Sequence, residues 1–491
     1  MADGSYGSPP LGPYHRAVET GPRDSLVLQV EKAILVGILT PESERDPRDP
    51  LGELRGLAET AGLNVVGELV QRRERPRGRT YLGKGKVEEL SALAAALGAT
   101  VAVFDNELAP SQIQALEEDL ERKLKIIDRS ELILDIFANR AVTRQAQLQV
   151  EIAQLEYTAP RLRAMWSHLG QVTGGAPVGV GTRGPGEQQI EIDRRLVQRR
   201  LLQLQRELAD VQARKTREVL ARRAEHFTVG LVGYTNAGKS SIFNALTAGG
   251  AYAADKPFAT LATRVERWNV GAGEEVMLSD TVGFIRDLPH HLVASFRSTL
   301  EDAINAHALI IVLDVADPHA IGQWQTVIGT LEEIGATTQP RILVLNKIDR
   351  WRELPDESRE RRRSPRQWQS EADRTVATSA VTGEGLDELA ATVRELMSGE
   401  LETCEISVPL ENGKAVDLIE RLPEVLERRY EGDRGHFRVR LGRRHAERLA
   451  AARGLQIDGR PAGEAIAAIF APERKAARRR IPPHAREPLP E

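Results

Sequence analysis

Between Lys32 and residue 140 the apolar positions fall into short, nearly unbroken runs: AILVGIL (33–39), NVVGELV (64–70), TVAVFD (100–105) and LKIID (124–128). Runs of this length, rich in β-branched residues, read as buried strands. The segments between them repeat apolar residues at helical spacing, so 25–140 is expected to be a small α/β domain with a parallel sheet. From 141 to 226 the period becomes helical and long. Leu148, Ile152, Leu155, Ala159, Leu162, Trp166 and Leu169 form one seam, and Val197, Leu201, Leu204, Leu208 and Val211 form another beyond a glycine-rich break. Two seams joined by a loop predict a long antiparallel helical hairpin, kinked at Pro160, which removes a backbone donor.

After Phe227 strands and helices alternate again, with FTVGLVG, EEVMLSD, LIIVLDV, RILVLNK and RTVATSA as strands of a second α/β unit spanning 227–400. Its charged insertion RWRELPDESRERRRSPRQWQ (350–369) is expected to be a mobile surface loop. CEISVPL, AVDLIERLPEVLERR and HFRVRLG predict a small β-α-β element over 401–470, an α+β appendage to an otherwise α/β protein. The ends, 1–24 and 471–491, lack apolar period. The first reads as a disordered leader rich in Gly, Pro and Ser, the second as a basic disordered tail.

Composition narrows the class. At 491 residues the chain can hold several domains, and a net charge of -4 provides no global basic field, so any nucleic-acid surface must be local. One cysteine, Cys404, leaves no disulfide framework and fits a reducing cytoplasm. The longest apolar run, ALIIVLDVA (308–316), is too short to span a bilayer, and the first residues lack the pattern of a signal peptide, so a soluble cytoplasmic protein is expected.

FTVGLVGYTNAGKSSIFNAL sets Gly-x-x-x-x-Gly-Lys-Ser between an apolar strand and an apolar-periodic helix. That is the context a phosphate-binding loop requires. Backbone amides across Gly233, Tyr234, Thr235, Asn236, Ala237, Gly238, Lys239 and Ser240 can wrap phosphates; Lys239 reaches the β and γ oxygens, and the Ser240 hydroxyl can ligate Mg2+. Three further motifs follow in order at strand ends. Asp280, Thr281, Val282 and Gly283 form DTVG, where Asp280 can hold Mg2+ through water and the Gly283 amide can sense a γ-phosphate. Asn346, Lys347, Ile348 and Asp349 form NKID, and Ser379, Ala380 and Val381 lie in TSAVTGEG, suited to backing a base. Asp349 can accept two donors from a guanine edge; adenine presents no such pair, so GTP and GDP are the expected ligands and ATP is rejected. Phe284 stands where many hydrolytic switches carry a water-orienting Gln, so something else must hold the water.

GYTNAGKS, FATL, DTVGFIRDLPHHLV, NKID and TSA, preceded by LGKGKVEEL (82–90) and GTRGPGEQQIEIDRR (181–195), closely resemble the HflX family of translational GTPases. The resemblance runs from about Lys32 to residue 400. It implies an N-terminal domain and hairpin that dock on ribosomal RNA, GTP-dependent binding to the large ribosomal subunit, splitting of stalled or idle ribosomes, and hydrolysis stimulated by the ribosome. It also implies that Phe258, Ala259, Thr260, Leu261 and Ala262 form the first switch, with Thr260 rather than Thr263 as the Mg2+-linked hydroxyl; here Ala262 and Thr263 replace the family's Asp-Pro. Lys239, Thr260 and Gly283 are the residues expected to carry catalysis, and Ser240 and Thr260 to hold the metal. Asn236 resembles the asparagine that holds K+ in some cation-stimulated GTPases, the alternative being a cap on its own loop.

The hairpin tip GGAPVGVGTRGPGE, with Arg183, and the basic second arm (Arg194, Arg195, Arg199, Arg200, Arg206, Arg214, Lys215, Arg217, Arg222, Arg223) form the candidate rRNA surface, against the alternative of a solvated helix face. GKGK (83–86) lacks the Ser or Thr of a complete phosphate loop, and His290 and His291, the alternative substitutes for the glutamine, follow a helix-start pattern that is expected to carry them beyond reach of the water. The expected state is a monomer. A GTP-switched RNA-binding factor of large-subunit assembly, without splitting activity, is the competing reading.

Overall fold

The computed structural model describes residues 15–18, 27–41, 45, 49–172, 185–247, 258, 263–286, 300–399, 402–420, 422, 424–450, 452 and 454–469, with the side chains of 15–18, 27–29, 160–172, 185–194, 224, 424, 443, 444 and 448 excepted. In the N-terminal unit, strands β3 (Lys32–Leu39), β4 (Asn64–Arg72), β5 (Val101–Phe104) and β6 (Lys125–Asp128) form a parallel sheet of order β4-β3-β5-β6. These are the four runs anticipated from sequence. Helices α1 (Gly52–Ala61), α2 (Lys84–Leu97), α3 (Pro110–Asp119) and α4 (Arg129–Arg140) connect and flank the strands. In the leader expected to be disordered (1–24), β1 (His15–Val18) forms and pairs antiparallel with β2 (Val27–Val30), which lies just after it.

Helices α5 (Arg144–Val172) and α6 (Pro185–Glu225) form the hairpin. Its seam buries Leu148, Ile152 and Leu204, with Leu155, Leu201, Leu208 and Val211 packed around them, as the periodicity predicts. The α5 helix is continuous through Pro160. Arg144 pairs with Glu207 at 2.5 Å and Arg200 with Glu151 at 2.7 Å across the two arms. At the base of α6, Arg222 donates to Asp302 at 2.9 Å and Lys215 lies 3.5 Å from the same carboxylate, so part of the basic arm is spent on holding the hairpin to the next unit.

That unit is a six-stranded sheet of order β12-β11-β10-β7-β9-β8, parallel except for its edge. Its strands are β7 (Thr228–Gly233), β8 (Arg264–Gly271), β9 (Glu274–Asp280), β10 (Ala308–Asp314), β11 (Arg341–Asn346) and β12 (Arg374–Ala377). The edge strand β8 was not anticipated. Most of its residues are at least partly exposed, so it lacks the unbroken apolar run by which the central strands are read. The charged insertion is folded rather than mobile: it forms three short helices, Ile348–Glu353, Asp356–Glu360 and Pro365–Trp368. Trp351 and the fully buried Trp368 anchor it; Trp368 meets Trp324 edge-on at 6.1 Å, and the Arg363 guanidinium lies 4.6 Å from the Trp368 ring.

The C-terminal element is larger than β-α-β. Strands β13 (Glu402–Pro409), β14 (Glu424–Glu431), β15 (Arg434–Leu441), β16 (Gln456–Ile457) and β17 (Arg460–Pro461) make an antiparallel sheet. EVLERRYE, read as a continuation of the preceding helix, is the edge strand β14, because pairing with β15 overrides its helical propensity. The tail 471–491 lies outside the described residues.

Candidate active site

The phosphate loop begins where β7 ends and closes at α7 (Lys239–Leu246). Gly233 has φ 152°, and a Cβ there would sit 2.3 Å from the Val312 carbonyl oxygen; Gly238 has φ 97°, and a Cβ would meet Asn346 Nδ2 at 2.2 Å. Only glycine lets the loop pass both points. Ser240 Oγ donates to Asp280 Oδ2 at 2.7 Å, which joins the two elements assigned to Mg2+. A hydroxyl beside a fully buried carboxylate is an all-oxygen pair whose chemistry would suit Mg2+, a hard cation. Among the described residues no cluster of three or more His, Cys, Asp or Glu could replace it.

Lys239 is buried, and its Nζ donates to Gly233 O at 3.1 Å and Tyr234 O at 2.8 Å. Burial lowers its pKa to about 8, the Asp280 carboxylate opposing the fall only in part. The second switch lies directly against this loop. Thr235 N donates to Phe284 O at 2.7 Å and Phe284 N to Gly233 O at 3.0 Å, a one-rung parallel bridge between Tyr234 and Phe284. Gly283 is so close that a Cβ on it would lie 2.9 Å from both Lys239 Nζ and Thr235 Cα. Thr281 is buried, its hydroxyl donating to Leu231 O at 2.6 Å.

The base side is assembled by Asn346, whose Nδ2 donates to Ala237 O at 2.9 Å while its Oδ1 accepts from Thr378 Oγ1 and Ala380 N, both at 3.3 Å. Lys347, at φ 61°, crosses the loop to donate to Asn236 O at 2.8 Å and pairs with Asp314 at 2.7 Å. Burial raises the Asp314 pKa against the opposing pull of Lys347. Ile348 N donates to Thr378 O at 3.1 Å, which ties the helix carrying the half-buried Asp349 in its first turn to the segment that holds the buried Ser379. Val381 is exposed at the rim. The structure thus brings 233–240, 280–283, 346–349 and 379–381 to the same end of one sheet.

Phe258 packs edge-on against Phe137 of α4 with centroids 4.5 Å apart, and its carbonyl accepts from Arg140 Nη1 at 2.5 Å. Its side chain therefore belongs to the N-terminal interface. Ala259, Thr260, Leu261, Ala262, His290, His291 and the hairpin tip with Arg183 lie outside the described residues.

Sequence reading missed Asp314, which holds Lys347, and the part played by Tyr234. The Tyr234 hydroxyl donates to Glu53 Oε1 of α1 at 2.5 Å and accepts from Arg286 N at 2.9 Å. Phe284 is buried in a continuous apolar cluster that also holds Leu54, Leu57, Phe137 and Phe258. An apolar side chain at the catalytic Gln position is thereby explained as part of the packing between the two units.

Known families match in the same order along the chain. A model of the GTP-binding GTPase N-terminal region covers 48–138, its middle-region counterpart 140–222, a 50S ribosome-binding GTPase model 228–347, and the HflX C-terminal domain 366–459. The chain is 40% identical to GTPase HflX of Lacrimispora saccharolytica over 409 residues, covering 82% of this chain and 92% of that one. This chain belongs to the HflX family of GTPases. GTPase HflX of Escherichia coli is likewise 40% identical over 388 residues, covering 78% of this chain and 87% of the other. A GTP-binding protein from Sulfolobus solfataricus, solved with GDP, covers 74% of this chain and 98% of its own at 24% identity and a TM-score of 0.39. HflX membership and the phosphate loop together make the protein a P-loop GTP hydrolase that binds GTP and GDP. Among the described residues no helix is long and apolar enough to cross a membrane.

Proposed function

We propose that this GTPase binds the large ribosomal subunit and its rRNA in the GTP state, splits or rescues stalled and idle ribosomes in the cytoplasm as a monomer, and hydrolyses GTP when the ribosome completes its site. The observation that carries this reading is the second switch: Phe284 is buried, its backbone is bonded to the phosphate loop, and no side chain from 280–286 is a water-orienting amide. A site built this way is slow alone and waits on a partner. The match to a 50S ribosome-binding GTPase model supports the choice of partner.

In this reading the amides of 233–240 wrap the phosphates, Asp349 takes the guanine edge, and Asn346, Ser379 and Ala380 shape the base pocket. Lys239 turns from its loop carbonyls to the β and γ oxygens. Ser240 and, through water, Asp280 would hold Mg2+, and Thr260 would join them in the GTP state. Mg2+ supplies neutralisation of phosphate charge. Asn236, exposed on the loop, would hold K+ beside the phosphates rather than cap its own loop, and equal turnover in Na+ and K+ would count against that role. The basic arm of the hairpin and its glycine-rich tip are the surface offered to rRNA.

Sedimentation with purified ribosomal subunits tests the reading. Co-migration with the large subunit is expected with a non-hydrolysable GTP analogue and not with GDP. Light scattering of intact ribosomes should fall on adding the analogue-bound protein; co-migration without that fall would favour an assembly factor instead.

A further inference from the structure

The N-terminal sheet reverses its direction of growth between β3 and β5, the crevice where open parallel sheets ordinarily bind ligands. Here that crevice receives Arg286 from the second switch. Asp105, directly after β5, accepts from Arg45 Nε at 2.6 Å and Arg129 Nη1 at 2.7 Å, and lies 3.7 Å from Arg286 Nη2. Glu53 of α1 pairs with Arg286 Nε at 2.6 Å and with Arg129 Nη2 at 3.0 Å through one oxygen, while its other oxygen takes the Tyr234 hydroxyl. Burial works to raise the Glu53 pKa, but the two guanidiniums outweigh it and hold the carboxyl below its usual range. The same tyrosine hydroxyl accepts from the Arg286 amide, so one phosphate-loop side chain ties the N-terminal unit to the switch backbone.

These contacts bracket the bridge between Phe284 and the phosphate loop. With the bridge closed, Lys239 is turned onto loop carbonyls and Gly283 is pressed against Lys239 and Thr235. A diphosphate needs the loop amides and Lys239; a third phosphate also needs the space beside Gly283. Admitting it means parting Phe284 from Gly233 and Thr235, which draws Arg286, two residues on, away from Glu53 and Asp105. The contacts of the N-terminal unit are therefore made in the state that excludes the triphosphate and lost in the state that takes it.

We infer that Glu53 and Tyr234 are specificity-determining positioning residues, which hold the second switch closed through Arg286 and make the free protein favour the diphosphate over the triphosphate. This rests on the nucleotide site described above and is independent of ribosome binding. Equilibrium binding of GDP and of a non-hydrolysable GTP analogue to the full chain tests it, using Glu53→Gln and Tyr234→Phe, which preserve volume on opposite sides of the interface. Each variant should bind the analogue about tenfold more tightly while GDP affinity moves by less than about twofold, and the double variant should gain little over either single one, because the groups act as a unit. Arg79→Ala, which removes an exposed ion pair with Asp119 in the same unit, should leave the ratio unchanged. Equal shifts for both nucleotides, an unchanged ratio, or fully additive effects would overturn the inference. A wild-type chain that binds neither nucleotide would instead overturn the reading of the site itself.

Discussion

Lys239 offers a quantitative test of the site, because its burial has a protonic consequence. In the nucleotide-free protein its pKa is lowered from 10.5 to about 8. Below about pH 8 the ammonium persists, held by the Gly233 and Tyr234 carbonyls; above it the free protein increasingly carries a neutral amine. A bound diphosphate places negative charge beside Nζ and restores the charged form, so binding must take up protons in the window above pH 8. With a bound-state pKa near the ordinary value, uptake should be about 0.1 proton at pH 7, about 0.5 at pH 8 and about 0.9 at pH 9. The sign follows from linkage: protons are bound on association, so GDP affinity falls as pH rises, approaching about tenfold per unit by pH 9. Titration calorimetry of GDP binding in pairs of buffers with different ionisation enthalpies measures the uptake directly. The phosphate's own second ionisation, at about 6, is complete at pH 8 and pH 9 and does not interfere there. Lys239→Arg, whose guanidinium stays protonated, should abolish the uptake wherever binding is measurable. Uptake below about 0.1 proton at both pH 8 and pH 9, with flat affinity, would refute the placement of Lys239 as a desolvated cation awaiting phosphate.

Other consequences are equally direct. Gly238→Ala forces a side chain against Asn346 Nδ2 at a positive φ, and GDP affinity, followed by a fluorescent analogue, should fall by about 10²-fold. Asp349→Ala removes the proposed acceptor of two charge-assisted hydrogen bonds from guanine and should weaken both GDP and GTP by about 10² to 10⁴-fold; a loss below about tenfold would contradict guanine recognition by this carboxylate. Trp368→Ala empties a fully buried site in the insertion and should cost about 3–5 kcal/mol in denaturant unfolding, whereas a mobile loop would tolerate the change within about 0.5 kcal/mol.

Legibility in the sequence follows the distance between interacting residues. The central strands of both α/β units were readable because each is a short apolar run buried on both faces, and the phosphate loop because its glycines, lysine and serine are contiguous. The strand β8 was not, since an edge strand exposes much of its length. The insertion misled because its charged majority conceals Trp351 and Trp368, whose partners lie elsewhere in the fold. Above all, Tyr234 reads as one more loop residue until Glu53, 181 positions away, is brought to its hydroxyl. The buried Phe284 is a similar case: alone it signals a missing glutamine, and in the fold it is a packing residue of a shared core.

In the proposed function the chain is a slow GTPase completed by the large ribosomal subunit. Single-turnover hydrolysis of GTP, with and without purified large subunits, addresses it most directly. The account predicts turnover on the order of 10⁻⁴ per second for the free protein and acceleration by about 10³-fold or more with the subunit. Fast hydrolysis by the free chain, or acceleration of less than about tenfold at saturating subunit, would contradict it.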